Sequence, residues 1–322
     1  MSEFFVGVDL GGTKVACGIG SIAQGIVAEK TIPTNSADGA ERVLERTGEV
    51  VRELAKQVGA QPSALAMGVP GLADLREGIT RFLPNLPEKW RDVPVRALLS
   101  PLVGCPVYLV NDVRSATLAE LTFGHGRTVR TMAFFAIGTG IGGGIAVDGA
   151  LRLGPLGAAG ELGHQTIVPD GPLCGCGNRG CLEAVASGSA ITAEGVRLLK
   201  TGQAPRLHEL VGGDVARITP REMAQAAQAG DEAAHWALTR AGQYIGIAVS
   251  NVIVTLHPEL IVLGGGVAEV GDIIFDAVRA TVRERVHMMP TENIRILPSQ
   301  LGTQAGLLGA MALAEKGGLV PE

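Results

Sequence analysis

The clustering of its glycines restricts the fold of this chain more than any other sequence feature. Glycine accounts for 46 of the 322 residues, about twice its usual share of ~7%. It concentrates at positions 11–12, 142–144 and 264–266. Runs of glycine are useful where the backbone must approach another group closely or adopt a positive φ. At other positions glycine destabilises the fold, because it loses more conformational entropy on folding than other residues do. The clusters therefore predict tight turns whose backbone meets something other than solvent.

Apolar runs and helical periodicities alternate along the chain. Short runs of buried-strand type predict strands at 4–10, 14–20, 25–32, 64–69, 106–110, 131–137, 142–147, 260–263 and 294–297. Helical spacing predicts helices at 40–58, 111–120, 272–287 and 304–315, and a mostly helical stretch over 220–257. This alternation is typical of the α/β class.

Two strand–glycine–strand segments echo one another. Phe4 and Phe5 precede the first glycine turn at 9–12, and Phe134 and Phe135 precede the second at 139–143. A chance match between two glycine-rich hairpins explains the echo equally well. If the echo is genuine, two similar lobes each open with a β-hairpin that faces a shared cleft.

Charge and hydropathy exclude several classes of protein. The net charge is −5 and the 27 Lys and Arg residues are scattered, which disfavours a broad nucleic-acid surface. We expect no signal peptide, because no basic segment followed by an apolar run stands at the N-terminus. The longest apolar stretch, 245–256, is shorter than the ~20 residues of a membrane helix. We therefore expect a cytoplasmic protein that uses neither a membrane nor nucleic acid.

The glycine turns offer backbone amides to phosphate groups. In 9–14 a strand delivers Asp9 to a turn whose amides and Thr13 hydroxyl can bind phosphate oxygens. The segment lacks Walker A spacing, and an ordinary hairpin remains an alternative. The stretch 138–144 repeats the pattern with Thr139 and five glycines, and 264–266 follows a strand in a way that suits a nucleotide. A plain βα loop is the alternative for this third cluster.

Asn111 and Asp112 stand where a predicted strand changes into a helix. A carboxylate at this place can orient a hydroxyl nucleophile and accept its proton, and phosphoryl transfer needs little more than such positioning and charge stabilisation. The simpler interpretation is an Asx helix cap.

One imidazole and three thiols indicate a metal site. His164 is followed by Cys174, Cys176 and Cys181, a Cys3His set that meets the tetrahedral requirement of structural zinc. The loop 169–180 has few core residues, so a metal would order it. Three cysteines without a common purpose are the alternative. Glu161 and Glu183 flank the set. If a glutamate here takes no part in the site, it is a solvated carboxylate.

These motifs together resemble the ROK family of sugar kinases and repressors, over nearly the whole chain from Phe4 to about Gly309. The matching segments are DLGGTK at 9–14, GVPG at 68–71, NLPEKW at 85–90, ND at 111–112, GTGIGGGI at 138–145, ELGH at 161–164, CGCGNRGCLE at 174–183 and LGGGV at 263–267. The resemblance implies an ATP-dependent sugar kinase with a two-lobed, actin-like α/β fold and a zinc-bound loop. We expect a small lobe at 1–112 joined by the helix 304–322, and a large lobe at 113–303 with the zinc loop 164–181. The sugar would lie between the lobes, whose closure excludes water.

The resemblance also assigns roles to residues. Asp112 is the expected catalytic base, with an ordinary carboxyl pKa that leaves it ionised at neutral pH. The expected sugar contacts are Gly71, Asn85, Asn111, Asp112, Glu161, His164 and Glu183. The expected ATP contacts are Asp9, Gly11, Gly12, Thr13, Lys14, Thr139, Gly140, Gly265 and Gly266, with Asp9 holding Mg²⁺ through water. The zinc ligands would be His164, Cys174, Cys176 and Cys181, and the second imidazole nitrogen of His164 would face the sugar.

Glucose is the substrate that the resemblance favours, and N-acetylmannosamine, N-acetylglucosamine and fructose are the alternatives. A ROK-type repressor is disfavoured because the first hairpin begins at Phe4, which leaves no room for a DNA-reading segment ahead of it. A zinc-ribbon nucleic-acid binder is disfavoured by the negative charge. A catalytically silent sugar sensor is disfavoured by Asp112 and both phosphate turns. We expect a homodimer or a homotetramer.

Overall fold

The computed structural model describes residues 3–83, 86, 90–154 and 157–318. The strands in these ranges are β1 (Phe5–Leu10), β2 (Lys14–Ser21), β3 (Gly25–Pro33), β4 (Ala64–Val69), β5 (Leu72–Asp74), β6 (Ile79–Phe82), β7 (Val107–Asn111), β8 (Met132–Ile137), β9 (Ile141–Val147), β10 (Ala150–Arg152), β11 (Leu260–Gly264) and β12 (Arg295–Pro298). The helices are α1 (Ala40–Val58), α2 (Val95–Val103), α3 (Asp112–Thr122), α4 (Leu182–Ala186), α5 (Gly188–Lys200), α6 (Pro205–Val211), α7 (Pro220–Gln228), α8 (Glu232–Leu256), α9 (Asp272–Arg285) and α10 (Ala305–Glu315). The α/β prediction is confirmed.

Contacts divide the chain into two compact units. Unit 1 comprises Met1–Thr128, Ile145–Gly160 and Gln300–Glu322, and unit 2 comprises Val129–Gly144 and Glu161–Ser299. These boundaries differ from the expected lobes at 1–112 and 113–303, because residues 113–128, 145–160 and 300–303 also belong to unit 1. Leu118 and Ala119 of α3 are buried in one apolar cluster with the residues of α10. Leu151 and Leu153 are buried in the other cluster of unit 1.

The sheet of unit 1 has the strand order β3-β2-β1-β4-β7. β1 pairs antiparallel with β2 and parallel with β4, and β4 pairs parallel with β7. The register places Asp9 opposite Gly68, and Val69 opposite Asn111. The carboxyl ends of three parallel strands thus bring these residues to one edge, which is where open α/β sheets bind ligands.

Unit 2 repeats this topology. The second sheet has the strand order β10-β9-β8-β11-β12, with β8, β11 and β12 parallel. Each unit therefore pairs its opening hairpin with parallel strands that arrive later in the chain. The echo between the two glycine-rich hairpins is confirmed as a repeat of topology.

The stretch 220–257, predicted as mostly helical, forms two helices. Gly230 has a φ of 88° after the end of α7, and the side chain of Asp231 accepts a hydrogen bond from the Ala234 amide at the start of α8. A left-handed glycine followed by an Asx cap ends one helix and begins another. Among the helices of the described residues, none has the length and apolar character that a membrane crossing needs.

Candidate active site

Asp112 is the first residue of α3, at the carboxyl edge of the unit 1 sheet. Its Oδ1 accepts a hydrogen bond of 2.9 Å from the amide of Val113. Burial raises the pKa of Asp112 to about 6, and the charge of Asp9 raises it further, against the opposing effects of the Val113 amide and of Arg114. The expectation of an ordinary pKa is therefore wrong. With a pKa of about 6 the group is still about nine-tenths ionised at pH 7.

Asn111 caps α3, as the simpler interpretation of its position predicted. Its Oδ1 accepts from the amides of Val113 and Arg114 at 3.0 and 3.2 Å. Its Nδ2 donates to the carbonyl of Gly71 at 3.1 Å. The cap therefore joins the start of α3 to the segment that follows β4, and the position of Asp112 depends on it. The second N–H of the Asn111 side-chain amide can still donate to a ligand. The expected contact between Asn111 and the sugar therefore stays a prediction.

Arg114 is a residue of this site that the sequence analysis missed. It is 1% exposed, and its Nη1 donates to Oδ1 of Asn111 at 3.1 Å. Its Nε and Nη2 donate to the carbonyl of Ala159 at 3.1 and 2.9 Å, and Nη2 donates to Ala158 at 3.2 Å. A guanidinium supplies several donors in a fixed plane, which a lysine does not. The sequence offered one signal for this role, which is the position of Arg114 two residues after Asp112.

The first glycine turn lies beside Asp9. The Gly11 amide donates to the carbonyl of Lys14 at 2.9 Å, which closes the hairpin. Thr13 and Lys14 are exposed, so the hydroxyl and the ammonium are accessible to a ligand. Burial raises the pKa of Asp9, and the charge of Lys14 lowers it. Asp9, Gly11, Gly12, Thr13 and Lys14 thus form one polar group at the end of β1.

Unit 2 contains a cavity of about 700 Å³, a volume suited to a nucleotide or a drug-sized ligand. Its lining consists of Gly138, Thr139, Gly188, Ser189, Thr192, Ala193, Thr219, Pro220, Arg221, Gly266, Val267 and Glu269. Of the expected ATP contacts in this unit, Thr139 and Gly266 line the cavity. Gly140 and Gly265 are their immediate neighbours in the chain and are not part of the lining.

The first turns of α5 and α7 supply most of the lining that the sequence analysis missed. Ser187 caps α5 by accepting from the Ala190 amide, and Thr219 caps α7 by accepting from the Arg221 amide. Thr219 followed by Pro220 is a helix-start signature that was visible in the sequence. That it faces the same cavity as Thr139 was not visible.

The four predicted metal ligands, His164, Cys174, Cys176 and Cys181, lie close together. Their ligand atoms all lie within 4.8 Å of one another. Nδ1 of His164 lies 3.7 Å from Sγ of Cys174, and Sγ of Cys176 lies 3.7 Å from Sγ of Cys181. Zinc–sulfur bonds of about 2.3 Å in a tetrahedron give sulfur–sulfur edges of about 3.8 Å. These residues therefore fit a tetrahedral zinc ion, and Nε2 of His164 is left for another partner.

Glu183 lies beside both this cluster and the second glycine turn. Its Oε1 is 3.8 Å from Sγ of Cys174, and its Oε2 accepts from the Ile141 amide at 2.8 Å. A Cβ at position 140 would overlap Oε2, so a side chain at this position would displace the carboxylate. Glu161 is exposed directly before the short 3₁₀ turn Leu162–His164. Asn85, the remaining expected sugar contact, lies outside the described residues.

Comparisons with known proteins agree with this geometry. Residues 5–317 match the ROK family. The chain is 35% identical to a glucokinase of Thermotoga maritima, over 97% of each protein. It is 29% identical to a xylose repressor of Caldicellulosiruptor bescii, over 96% of this chain and 77% of the repressor. A ROK family glucokinase of Streptomyces griseus, solved in complex with glucose and AMPPNP, superposes with a TM-score of 0.81 and 31% identity over 97% of this chain and 99% of that one.

Proposed function

This chain belongs to the ROK family, and on that premise we propose that it is an ATP-dependent sugar kinase which phosphorylates the 6-hydroxyl of glucose. The observation that carries the proposal is the Asp112 carboxylate at the head of α3. It is held by a backbone amide, and its pKa of about 6 lies near neutral pH. General bases work best when their pKa lies close to the working pH.

Asp112 acts on the sugar hydroxyl. Because Oδ1 accepts from the Val113 amide, we assign the hydroxyl proton to Oδ2. As the proton moves to Asp112, the hydroxyl oxygen forms a bond to the γ-phosphorus, and the bond from that phosphorus to the β,γ-bridging oxygen of ATP breaks. ADP leaves with that bridging oxygen, and the products are ADP and the sugar phosphate. Asp112 then releases its proton to solvent.

The nucleotide is assigned to the two glycine turns and to the cavity of unit 2. Gly11, Gly12, Thr13 and Lys14 are the proposed phosphate contacts of unit 1. In unit 2 we assign phosphates and adenosine to Thr139, Gly140, Gly265 and Gly266, of which Thr139 and Gly266 line the cavity. Mg²⁺, when bound with ATP, neutralises charge on the phosphates, and Asp9 is the carboxylate that we assign to its water shell.

The sugar hydroxyls are assigned to Gly71, Asn85, Asn111, Glu161, His164 and Glu183. His164 turns Nδ1 toward the thiols, so a zinc ion held there leaves the Nε2 proton for a sugar oxygen. A site built from several hydrogen-bonding side chains discriminates strongly, because a missing hydroxyl leaves buried partners unpaired. We place the enzyme in the cytoplasm, where its cosubstrate ATP is formed, and expect a homodimer or homotetramer.

Two other assignments deserve a direct test. N-acetylmannosamine, N-acetylglucosamine and fructose are the alternative substrates of the same kinase. The similarity to a xylose repressor favours a sugar-responsive regulator as the second candidate. A regulator needs sugar binding but no proton acceptor, so the two functions separate at Asp112.

The experiment is a coupled assay of ADP release across glucose, mannose, fructose, N-acetylglucosamine and N-acetylmannosamine. We expect the highest kcat/KM with glucose, and we expect Asp112→Asn to bind glucose but to lose most of the turnover. A higher kcat/KM with another sugar would reassign the substrate. Glucose binding without ADP release in the wild-type protein would replace the kinase by the regulator.

A further inference from the structure

Residues 138–141, here called the nucleotide turn, are held by one neighbouring stretch of chain. Gly138 and Thr139 line the cavity of unit 2. The carbonyl of Gly138 accepts a hydrogen bond of 2.8 Å from the amide of Gly188. At the other end of the turn, the Ile141 amide donates to Oε2 of Glu183 at 2.8 Å. Both partners belong to the stretch 183–188, which begins in α4 and ends at the start of α5.

That same stretch begins at the metal cluster. Cys181 precedes Glu183 by two residues, and Oε1 of Glu183 lies 3.8 Å from Sγ of Cys174. The opposite side of Ile141 is covered by the turn that carries His164, since a Cβ at Gly163 would overlap the Ile141 carbonyl. The Leu182 amide donates to the carbonyl of Gln165 at 2.9 Å, which ties the two cluster segments together. The cluster and the nucleotide turn are therefore neighbours through Glu183.

We propose that Glu183 is a positioning residue that fixes the nucleotide turn, so that nucleotide affinity depends on the bond between its carboxylate and the Ile141 amide. This inference rests on the proposed function, which places phosphates at the turn. It differs from the role of Glu183 as a sugar contact, because it concerns the carboxylate oxygen that binds the Ile141 amide. The remaining lone pairs of the carboxylate are still available to a hydroxyl.

The physical reason is the glycine content of the turn. Two of its four residues, Gly138 and Gly140, are glycine, and glycine loses more backbone freedom on ordering than any other residue. If the turn is already ordered in the free protein, binding does not have to order it, and the nucleotide binds more tightly. A charged acceptor on a buried amide is a strong anchor of this kind.

The test is a double-mutant cycle on the full-length, zinc-loaded protein, with affinity for a non-hydrolysable ATP analogue measured by calorimetry. Glu183→Ala removes the anchor, and we expect about tenfold weaker binding. Gly140→Ala forces the carboxylate away, because the three nearest neighbours of the new Cβ all belong to Glu183. We expect a similar loss. In the double variant the second substitution should add less than about twofold, because both act on one hydrogen bond.

Glu259→Ala is the matched control. Its carboxylate also accepts from backbone amides at the start of a strand, those of Arg130 and Thr131 at 2.7 and 3.0 Å, without touching the nucleotide turn. We expect wild-type affinity there, and partial rescue by Glu183→Gln, which keeps an acceptor oxygen. Zinc content and circular dichroism should remain those of the wild type in all variants.

Two results would overturn the inference: unchanged affinity in Glu183→Ala, or a Gly140→Ala effect that persists at full size in the Glu183→Ala background. The second result would mean that Gly140 acts on the nucleotide directly. Failure of the wild-type protein to bind the analogue would instead refute the proposed function, so the two failures are distinguishable.

Discussion

Asp112→Asn is expected to stabilise the protein while it removes most of its turnover. The substitution keeps the shape of the side chain and an oxygen that can accept from the Val113 amide. It removes the charge whose burial, next to Asp9, raises the pKa of Asp112 from 3.8 to about 6. A charged group in an unfavourable environment costs folding free energy that a neutral isostere does not.

The magnitude follows from the pKa. A rise from 3.8 to about 6 corresponds to about 3 kcal/mol against the ionised form in the folded state. This is an upper limit, because the side chain is only partly excluded from solvent. The folded protein binds this proton more tightly than the unfolded chain does. Proton binding at Asp112 therefore contributes fully to the free energy of unfolding below about pH 4, and this contribution is lost as the pH rises through 6.

Thermal unfolding at pH 7.5 and at pH 4.5 measures both the size and the sign. At pH 7.5 we expect Asp112→Asn to melt several degrees above the wild type, and the gap should shrink to about a third at pH 4.5, where Asp112 is protonated in the folded protein. Glu29→Gln is the control, because Glu29 is exposed on β3 in the same unit. A variant that melts below the wild type at pH 7.5, or by the same margin at both pH values, would refute the reasoning.

Three further outcomes are expected. With a pKa of about 6 at Asp112, kcat/KM should fall about tenfold from pH 7 to pH 5, whereas an ordinary carboxyl would leave it nearly flat over this range. Elemental analysis should find about one zinc per chain. Cys176→Ser should lower both the zinc content and the affinity for hexose. Unchanged sugar binding in this variant would show that the metal does not support the sugar site. Arg114→Lys should cost about 2–3 kcal/mol of unfolding free energy in a denaturant titration, because a buried cation loses its bonds to Asn111 and to the Ala159 carbonyl. An unchanged midpoint would contradict the role of this guanidinium.

The nature of the site could be predicted because its chemistry is carried by residue types at short spacing. Cys174, Cys176 and Cys181 with His164 predict a tetrahedral metal site from ligand chemistry alone, and the structure brings these four residues together. The elements followed in the same way from local periodicity. The helix 40–58 was predicted with the bounds that the structure gives to α1, because its apolar residues recur along one face of a single continuous helix.

Contacts between distant segments were decided by the tertiary structure. Spacing alone leaves Glu183 as a solvated carboxylate, and the family resemblance implies a sugar contact; only the fold brings it against Gly140 and the Ile141 amide, more than forty positions away. Likewise α3 belongs to unit 1 because α10, from the far end of the chain, buries its apolar side. A residue's burial, and with it the pKa of Asp112, depends on which remote surfaces exclude water from it. Local sequence carries the chemical groups, and long-range packing sets the environment in which they act.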